Sequence, residues 1–170
     1  MARTQPTDNG LPDDGVSALR ELVLTRTVAM DRALVWRLWT EPQHLAQWWG
    51  PHGFTNPECS IEPRPGGRLR IRMRSLDGQE YLNAGIVQVA EPPERLVFTI
   101  ALLNPDGSCR LENRITVDLI ERGAATEVTV RVQVLQATTD AGENLAGMGG
   151  GWSESLARLA EMAASERTAR

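Results

Sequence analysis

The two histidines are the first candidates for metal binding or proton transfer in this 170-residue chain. His44 and His52 stand eight positions apart with no third ligand beside them, so their spacing does not predict a zinc site. His52 lies between Pro51 and Gly53 in an expected loop, where an imidazole could donate or accept a proton during catalysis. A solvated loop histidine with no chemical role is the alternative interpretation.

The remaining reactive side chains do not complete a catalytic set. Cys59 and Cys109 have neither CxxC spacing nor a histidine nearby in sequence, which favours reduced structural thiols over a disulfide or a nucleophile. Glu80 and Tyr81 are the other candidates for proton transfer. Because the chain also lacks a nucleotide-binding fingerprint and a metal-ligand cluster, we assign no catalytic residues and expect no cofactor and no metal. Binding is favoured over catalysis.

Large aromatic surface is concentrated in one short region. Four of the five tryptophans lie between Trp36 and Trp49, in a chain with only one tyrosine and two phenylalanines. Tryptophans grouped in this way either seal short helices onto a sheet or line a cavity. Trp49 precedes the helix-breaking Gly50, and Trp152 lies on the apolar stripe of the last predicted helix, so both are expected to face enclosed space. The predicted ligand-binding set is Trp39, Trp49, Met73, Asn83, Phe98, Met148 and Trp152.

Composition and charge exclude several classes of partner. The net charge of −4 provides no electrostatic footprint for nucleic acid or for an anionic membrane. No apolar run approaches the roughly 20 residues that cross a bilayer, and the amino terminus is polar where a secretory signal would be apolar. We therefore expect no membrane insertion and a cytoplasmic location. Residues 1–17 are rich in Pro, Gly, Asp and Asn, which predicts a disordered tail ahead of one domain over residues 18–165.

The elements that must position these residues begin with a strand and two short helices. Residues 19–28 alternate well enough to form the first strand. Asp31 is expected to cap a short helix whose apolar residues recur at helical spacing and which ends or kinks at Pro42. A second short helix runs through His44 and stops at Gly50-Pro51, since glycine and proline interrupt a helix.

The middle of the chain has the period-two pattern of antiparallel strands. Residues 68–74 alternate apolar side chains with four arginines, which predicts one face toward the core and a solvated face of guanidinium groups partnered by acidic neighbours. Asp77-Gly78 and Asp106-Gly107 predict turns between later strands. The alternation continues to Val134 and predicts about seven strands in a meander. The sequence leaves open which face of residues 81–89 is the inner one.

The last part of the chain changes to helical periodicity. Asp140 and Glu143 have the spacing of a capping box, and an apolar stripe follows at helical intervals. Four glycines interrupt the first half of this stripe, at a cost of roughly 1 kcal/mol each relative to alanine. Either the helix begins near Trp152 after a loop, or the glycines leave room beside a cavity, and the sequence does not decide between the two. The glycines are Gly147, Gly149, Gly150 and Gly151.

A set of short motifs, taken in order along the chain, resembles one known family. The motifs are Trp39-Thr40-Glu41-Pro42, Trp48-Trp49-Gly50-Pro51, Pro65-Gly66-Gly67, Pro92-Pro93-Glu94-Arg95-Leu96 and Gly151-Trp152. Over residues 19–163 the chain is thereby similar to the START-like (SRPBCC) superfamily, and within it to homologues of the heat-shock-protein-90 ATPase activator of the bacterial single-domain type. The resemblance implies an α+β helix-grip fold. In that fold a curved antiparallel sheet of about six or seven strands wraps around a long carboxy-terminal helix, with two short helices after the first strand.

The same resemblance implies a cavity between the sheet and the terminal helix. The first hypothesis is that the protein binds a small hydrophobic molecule there, such as an aromatic, polyketide-like or lipid-like compound. The second is a cyclase, dehydratase or hydrolase that uses the same cavity, with His52, Tyr81 or Glu80 transferring protons. The third is a chaperone-interaction module, disfavoured because only an acidic tail stands where the eukaryotic activator carries a further chaperone-binding domain. A homodimer is a further candidate assembly.

Overall fold

A seven-stranded antiparallel sheet and three helices make up the described part of the chain. The computed structural model describes residues 21–168, so the predicted disordered tail over residues 1–17 and the beginning of the predicted first strand lie outside the described residues. Within residues 21–168, no helix combines the length and the apolarity needed to cross a membrane. The strands are β1 (Glu21–Val28), β2 (Thr55–Ile61), β3 (Arg68–Arg74), β4 (Glu80–Glu91), β5 (Arg95–Leu103), β6 (Cys109–Arg122) and β7 (Ala125–Ala137), and the helices are α1 (Arg32–Thr40), α2 (Pro42–Trp48) and α3 (Gly142–Thr168).

The strands form a single curved sheet in the order β1-β7-β6-β5-β4-β3-β2. Strands β2 to β7 follow one another as a meander, and β1 pairs with β7 at the edge opposite β2. Helices α1 and α2 connect these two edges, and α3 follows β7. This arrangement confirms the predicted helix-grip fold, including the two short helices after the first strand and the long terminal helix.

Strand β2 has no counterpart among the predicted segments. It contains Pro57, which cannot donate a hydrogen bond to a neighbouring strand and therefore argues against a central strand. The strand forms nevertheless because it lies at the edge of the sheet, and its pairing with β3 shifts register between Thr55 and Glu58. Pro57 thus occupies an irregularity at an edge, where a missing donor costs little.

Strand β3 presents its arginines to the outer face, as the sequence predicts. Glu58 of β2 accepts hydrogen bonds from Arg70 at 2.7 Å and Arg72 at 3.1 Å, and these bonds lower the pKa of its carboxyl group. Glu80 of β4 pairs with Arg72 at 3.2 Å and with Arg74 at 2.7 Å. The predicted solvated face with acidic partners is confirmed.

Helix α3 is continuous from its first residue, Gly142, which decides between the two alternatives that the sequence left open. No loop precedes Trp152, and all four glycines lie inside the helix. The predicted capping box does not form at Asp140, because its carboxylate accepts hydrogen bonds from the Thr138 hydroxyl and from Arg110, the latter at 3.1 Å. Asp140 therefore links the segment before α3 to strand β6. Its carboxylate does not cap the first turn of the helix.

The two halves of α3 pack differently against the sheet. The second half places Leu156, Leu159 and Ala163 in the main core, where each is at most 2% exposed. The first half contributes Met148 to the same core and Leu145 to a smaller cluster around Leu111, and its glycines add no side chains. Space is therefore left between the first half of α3 and the sheet.

Candidate functional site

A cavity of about 340 Å³ lies between the first half of α3 and the sheet. Residues 49–54, which follow α2, close one side, and the inner faces of β3 to β6 form the floor. Its apolar lining comes from Trp49, Phe54, Met73, Ile100, Leu102, Leu111, Met148 and Trp152. A concave space with this lining suits an apolar occupant.

The register of the sheet decides which side chains form the floor. Ile71 of β3 lies opposite Asn83 of β4, and Asn83 lies opposite Leu102 of β5. Leu102 in turn lies opposite Leu111 of β6. Because directly opposite residues point to the same face, the odd-numbered residues at the beginning of β4 face the cavity. The inner face of residues 81–89 therefore begins with Tyr81 and Asn83, both of which line the cavity.

Gly85 brings β4 unusually close to β5 beside this floor. It pairs with Ile100, and a Cβ atom at Gly85 would overlap the carbonyl oxygen of Thr99. Only glycine can occupy this position without moving the neighbouring backbone. The close approach shapes the floor next to Ile100, which lines the cavity.

The end of α2 directs Trp49 into the site. Trp49 leaves the helical conformation with φ −63° and ψ 131°, and Gly50 follows with φ 91°. A side chain at Gly50 would be strained at this φ, and its Cβ would approach Met73 Cε to 2.7 Å. The Trp49 ring, which is 7% exposed, meets Trp152 edge-on at 80° with the ring centroids 5.3 Å apart. Two nearly perpendicular indole rings thus form one wall.

Arg158 of α3 holds this segment in place. Its guanidinium donates hydrogen bonds to four carbonyl oxygens at 2.8 to 3.1 Å. Burial lowers the pKa of Arg158, but the group stays charged because arginine is not deprotonated in proteins. Its positive charge also complements the partial negative charge at the carboxy-terminal end of α2. The four carbonyl groups belong to Gln47, Trp49, Gly50 and Pro51.

Asn56 and Ser155 complete the support of the same segment. The Asn56 amide donates to the carbonyl oxygens of Ala46 and Trp49 at 2.9 and 2.8 Å. The Ser155 hydroxyl accepts a hydrogen bond from the Gly50 N–H at 3.1 Å. Strand β2 and helix α3 therefore hold the cavity wall from two directions.

Five of the seven residues predicted to bind a ligand line the cavity: Trp49, Met73, Asn83, Met148 and Trp152. The other two lie behind the lining. Trp39, 1% exposed, stacks on Trp152 with the ring centroids 6.5 Å apart. Phe98, 2% exposed, packs against Trp49 at 6.3 Å. Trp39 and Phe98 thus support lining residues without reaching the cavity, and ligand binding by the other five stays a prediction.

Sequence analysis did not single out several lining residues, of which Asn113 is the most informative. It occupies an inward position in the alternation of Leu111, Asn113, Ile115 and Val117 along β6. A polar side chain where the pattern favours apolar ones is a signal that was present in the sequence. Phe54 carried no comparable signal, because it lies in the loop after α2, whose path depends on tertiary contacts.

Of the three candidates for proton transfer, only Tyr81 lines the cavity. His52 instead contacts two exposed carboxylates of α3, at 3.3 and 3.4 Å. Glu80 is hydrogen-bonded to arginines of β3. Glu143, in the first turn of α3, is the charged residue of the lining. The predicted acid–base candidates are therefore not brought together in one place.

The described residues form no candidate metal site. Nowhere among them do three His, Cys, Asp or Glu side chains lie close enough together to hold a metal ion. His44 contacts Glu41 at 3.0 Å. Cys59 and Cys109 are free thiols, as the sequence predicts. Burial raises the pKa of Cys59 to about 11, which keeps this thiol protonated at neutral pH.

A family model described as Activator of Hsp90 ATPase homolog 1-like protein matches residues 29–164. This range begins just after β1 and reaches the last turns of α3, so it contains every residue of the cavity lining. No curated protein matches the chain.

Solved structures of similar proteins share the fold. A protein from Rhodobacter sphaeroides is 28% identical, with a TM-score of 0.70 over 86% of this chain and 94% of that one. An AHSA1 protein from Silicibacter pomeroyi is 25% identical, with a TM-score of 0.74 over 86% of this chain and 99% of that one. DynU16, a protein in the dynemicin biosynthetic locus, is 23% identical, with a TM-score of 0.64 over 84% of this chain and 46% of that one, and shows likeness of fold alone.

Proposed function

This chain belongs to the Activator of Hsp90 ATPase homolog 1-like family, and from that membership and the cavity we propose that it binds a small hydrophobic molecule between the sheet and α3. The proposed ligand is an aromatic, polyketide-like or lipid-like compound, and the proposed binding domain spans residues 18–165. The likeness of fold to a protein in a biosynthetic locus is consistent with ligand binding. Because one fold hosts many functions, the proposal rests on the site itself.

The observation that carries the proposal is the size and lining of the cavity. A volume of about 340 Å³ falls within the range of roughly 300–1,000 Å³ that is typical of small-molecule sites. Its walls include the indole rings of Trp49 and Trp152 and the adaptable thioethers of Met73 and Met148. An apolar ligand would remove this lining from water, which is favourable.

The enzymatic alternative requires two titratable groups that converge inside the cavity. Tyr81 and Glu143 both line it, but Glu143 is exposed in the first turn of α3. His52 and Glu80 are engaged with charged partners elsewhere. The described residues therefore favour binding over catalysis.

The chaperone-interaction alternative requires an exposed apolar patch of at least a few hundred Å². Among the residues that the structure describes, the large hydrophobic side chains that are exposed lie on separate strands or, in one case, on the turn between β3 and β4. They are Val23, Leu76, Ile86, Ile120 and Leu135. A chaperone partner, a homodimer and a cytoplasmic location stay predictions.

Native mass spectrometry of freshly purified protein, followed by titration with the neutral dye Nile red, tests the proposed function. We expect either a retained small molecule or saturable binding of one dye per chain, with quenching of tryptophan fluorescence because two tryptophans line the cavity. A protein that carries no small molecule and binds no dye would contradict the proposal.

A further inference from the structure

Two asparagines at the floor of the cavity have amide atoms without hydrogen-bond partners. Asn113 is 8% exposed, and its Oδ1 accepts no hydrogen bond from any residue that the structure describes. Its Nδ2 contacts the Met148 sulfur at 3.8 Å, and a thioether is a weak acceptor. Asn83 lines the same cavity, and its Nδ2 likewise donates to none of the described residues. Leaving a buried polar atom without a partner is unfavourable, so a polar group of a ligand that displaced the atoms covering either amide would be stabilised there.

The register of the sheet places the two amides on the same face but well apart. Asn83 lies opposite Leu102, and Leu102 lies opposite Leu111. Asn113 is two residues further along β6. Since neighbouring strands are about 4.8 Å apart and the rise is about 3.3 Å per residue, the two Cα atoms are roughly 12 Å apart. The amides therefore address separate positions of one ligand rather than a single atom.

The Tyr81 hydroxyl can donate and accept at a single position only, and the other polar groups of the lining do not offer this combination either. The Ser155 hydroxyl is engaged, since it accepts from the Gly50 N–H at 3.1 Å and donates to the Gly151 carbonyl at 2.9 Å. Glu143 and Asn144 lie at the first turn of α3, and Glu143 is exposed. Among the described lining residues there is no arginine or histidine. A carboxylate or phosphate ligand would therefore lose its hydration without gaining a counter-ion.

Building on the proposed binding function, we propose that Asn83 and Asn113 select the ligand. The selected ligand is a neutral, largely apolar molecule with a hydrogen-bond acceptor for the Asn83 amide and, at a separate position, a hydrogen-bond donor for Asn113 Oδ1. Met148 contacts Asn113 through the amide nitrogen, and its flexible side chain moves aside when the donor group enters. A molecule with one carbonyl and one hydroxyl group fits this pattern, whereas a fatty acid or a plain hydrocarbon does not.

A matched series of naphthalene probes tests this selection by isothermal titration. 6-Hydroxy-2-acetonaphthone carries both groups, 2-acetonaphthone and 2-naphthol carry one each, and naphthalene carries neither. We expect the doubly substituted probe to bind roughly tenfold tighter than either singly substituted one, because each hydrogen bond satisfies a buried group. 6-Hydroxy-2-naphthoate, in which a carboxylate replaces the acetyl group, should bind more weakly than 2-naphthol.

Two leucine variants separate the roles of the amides. In Asn113→Leu, the advantage of 6-hydroxy-2-acetonaphthone over 2-acetonaphthone should disappear, while the advantage of 2-acetonaphthone over naphthalene remains. Asn83→Leu should show the reverse. Asn104→Leu, at an asparagine of the turn after β5 that does not line the cavity, should keep both advantages. Leucine replaces an unsatisfied polar group with an apolar one of similar size, so both variants should fold, and urea unfolding checks this. Either leucine variant alone is sufficient for the test.

The outcomes distinguish this inference from the proposed function. Equal binding of all four neutral probes by the wild-type protein would overturn selection by the asparagines and leave the binding function standing. Unchanged ratios in the leucine variants would assign the polar recognition to other residues and overturn the inference as well. If neither the naphthalene series nor Nile red binds, the binding function itself is wrong.

Discussion

The guanidinium of Arg158 lies 2.9 Å from the carbonyl oxygen of Gly50, and through this hydrogen bond the terminal helix holds the loop that forms one wall of the cavity. The two residues are 108 positions apart in sequence. The contact joins the stability of the fold to the shape of the site, because the residues that Arg158 binds include Trp49, whose ring lines the cavity.

Replacing Arg158 with lysine should therefore weaken both folding and binding. Lysine keeps the charge but loses the planar fork of donors, and one ammonium group cannot reach all four carbonyl oxygens. We expect the free energy of unfolding to fall by about 1–2 kcal/mol and the affinity for Nile red to fall several-fold. Arg131→Lys is the control, since Arg131 forms an exposed ion pair with Glu21 that should contribute little. Equal losses in the two variants, measured by urea unfolding, would contradict the assigned role.

A leucine at Gly147 should fill the cavity, whereas a leucine at Gly150 should not. A Cβ atom at either glycine meets no described atom within 4 Å, but only Gly147 lines the cavity. Both substitutions should raise the free energy of unfolding, because leucine exceeds glycine in helix propensity by up to about 1 kcal/mol. Only Gly147→Leu should weaken the binding of Nile red, by roughly tenfold, since its side chain occupies part of the cavity. If dye titration showed the same loss of Nile red affinity in both variants, the assigned location of the binding site would be wrong.

Shortening Trp152 to phenylalanine should affect ligand binding more than the same change at Trp36. Trp152 lines the cavity, whereas Trp36 belongs to the core and is 9% exposed. We expect Trp152→Phe to reduce the affinity for Nile red by about 1 kcal/mol, or roughly fivefold. Trp36→Phe should lower the free energy of unfolding and leave that affinity within a factor of about two. The opposite ranking of the two affinities would indicate that Trp36 lines the binding site and that Trp152 has only a core role.

Gly85→Ala should destabilise the sheet strongly. The added Cβ would overlap the Thr99 carbonyl oxygen, and a backbone atom cannot move aside as the end of a side chain can. We expect a loss of about 3 kcal/mol or more in the free energy of unfolding, or failure to fold. Gly150→Ala introduces the same methyl group into open space within α3 and should be stabilising. Wild-type stability of Gly85→Ala in urea would show that β4 and β5 do not approach so closely.

The thiol of Cys59 should make stability depend on alkaline pH. Burial raises its pKa from 9.0 to about 11, so the folded state favours the neutral thiol. This contribution is fully present below pH 9.0 and is lost as the pH rises toward 11. The difference in free energy of unfolding between wild type and Cys59→Ala should therefore shrink by about 1 kcal/mol between roughly pH 8 and pH 11. Parallel urea-unfolding profiles for the two proteins would contradict the raised pKa.

Local patterns in the sequence were sufficient to predict most of the elements. The arginines of residues 68–74 alternate with apolar side chains, so the face of β3 could be predicted from the chain alone. The family motifs between Trp39 and Trp152 predicted the helix-grip fold. Strand β2 was missed because Pro57 opposes strand formation and only an edge position tolerates it. Continuity of α3 could not be inferred either, because packing of its second half compensates for the glycines in its first.

The sequence by itself determined the period of each element, the apolar face of most strands and the aromatic residues available for a cavity, because these properties depend on near neighbours along the chain. Only the tertiary structure decided that Asn83 and Asn113 share one floor, that Trp39 and Phe98 pack behind the tryptophans of the wall, and that Arg158 holds that wall in place. Each of these relationships depends on register and packing between segments far apart in sequence. A one-residue change of register would turn every side chain of a strand to the opposite face, and no local pattern specifies which strand lies beside another.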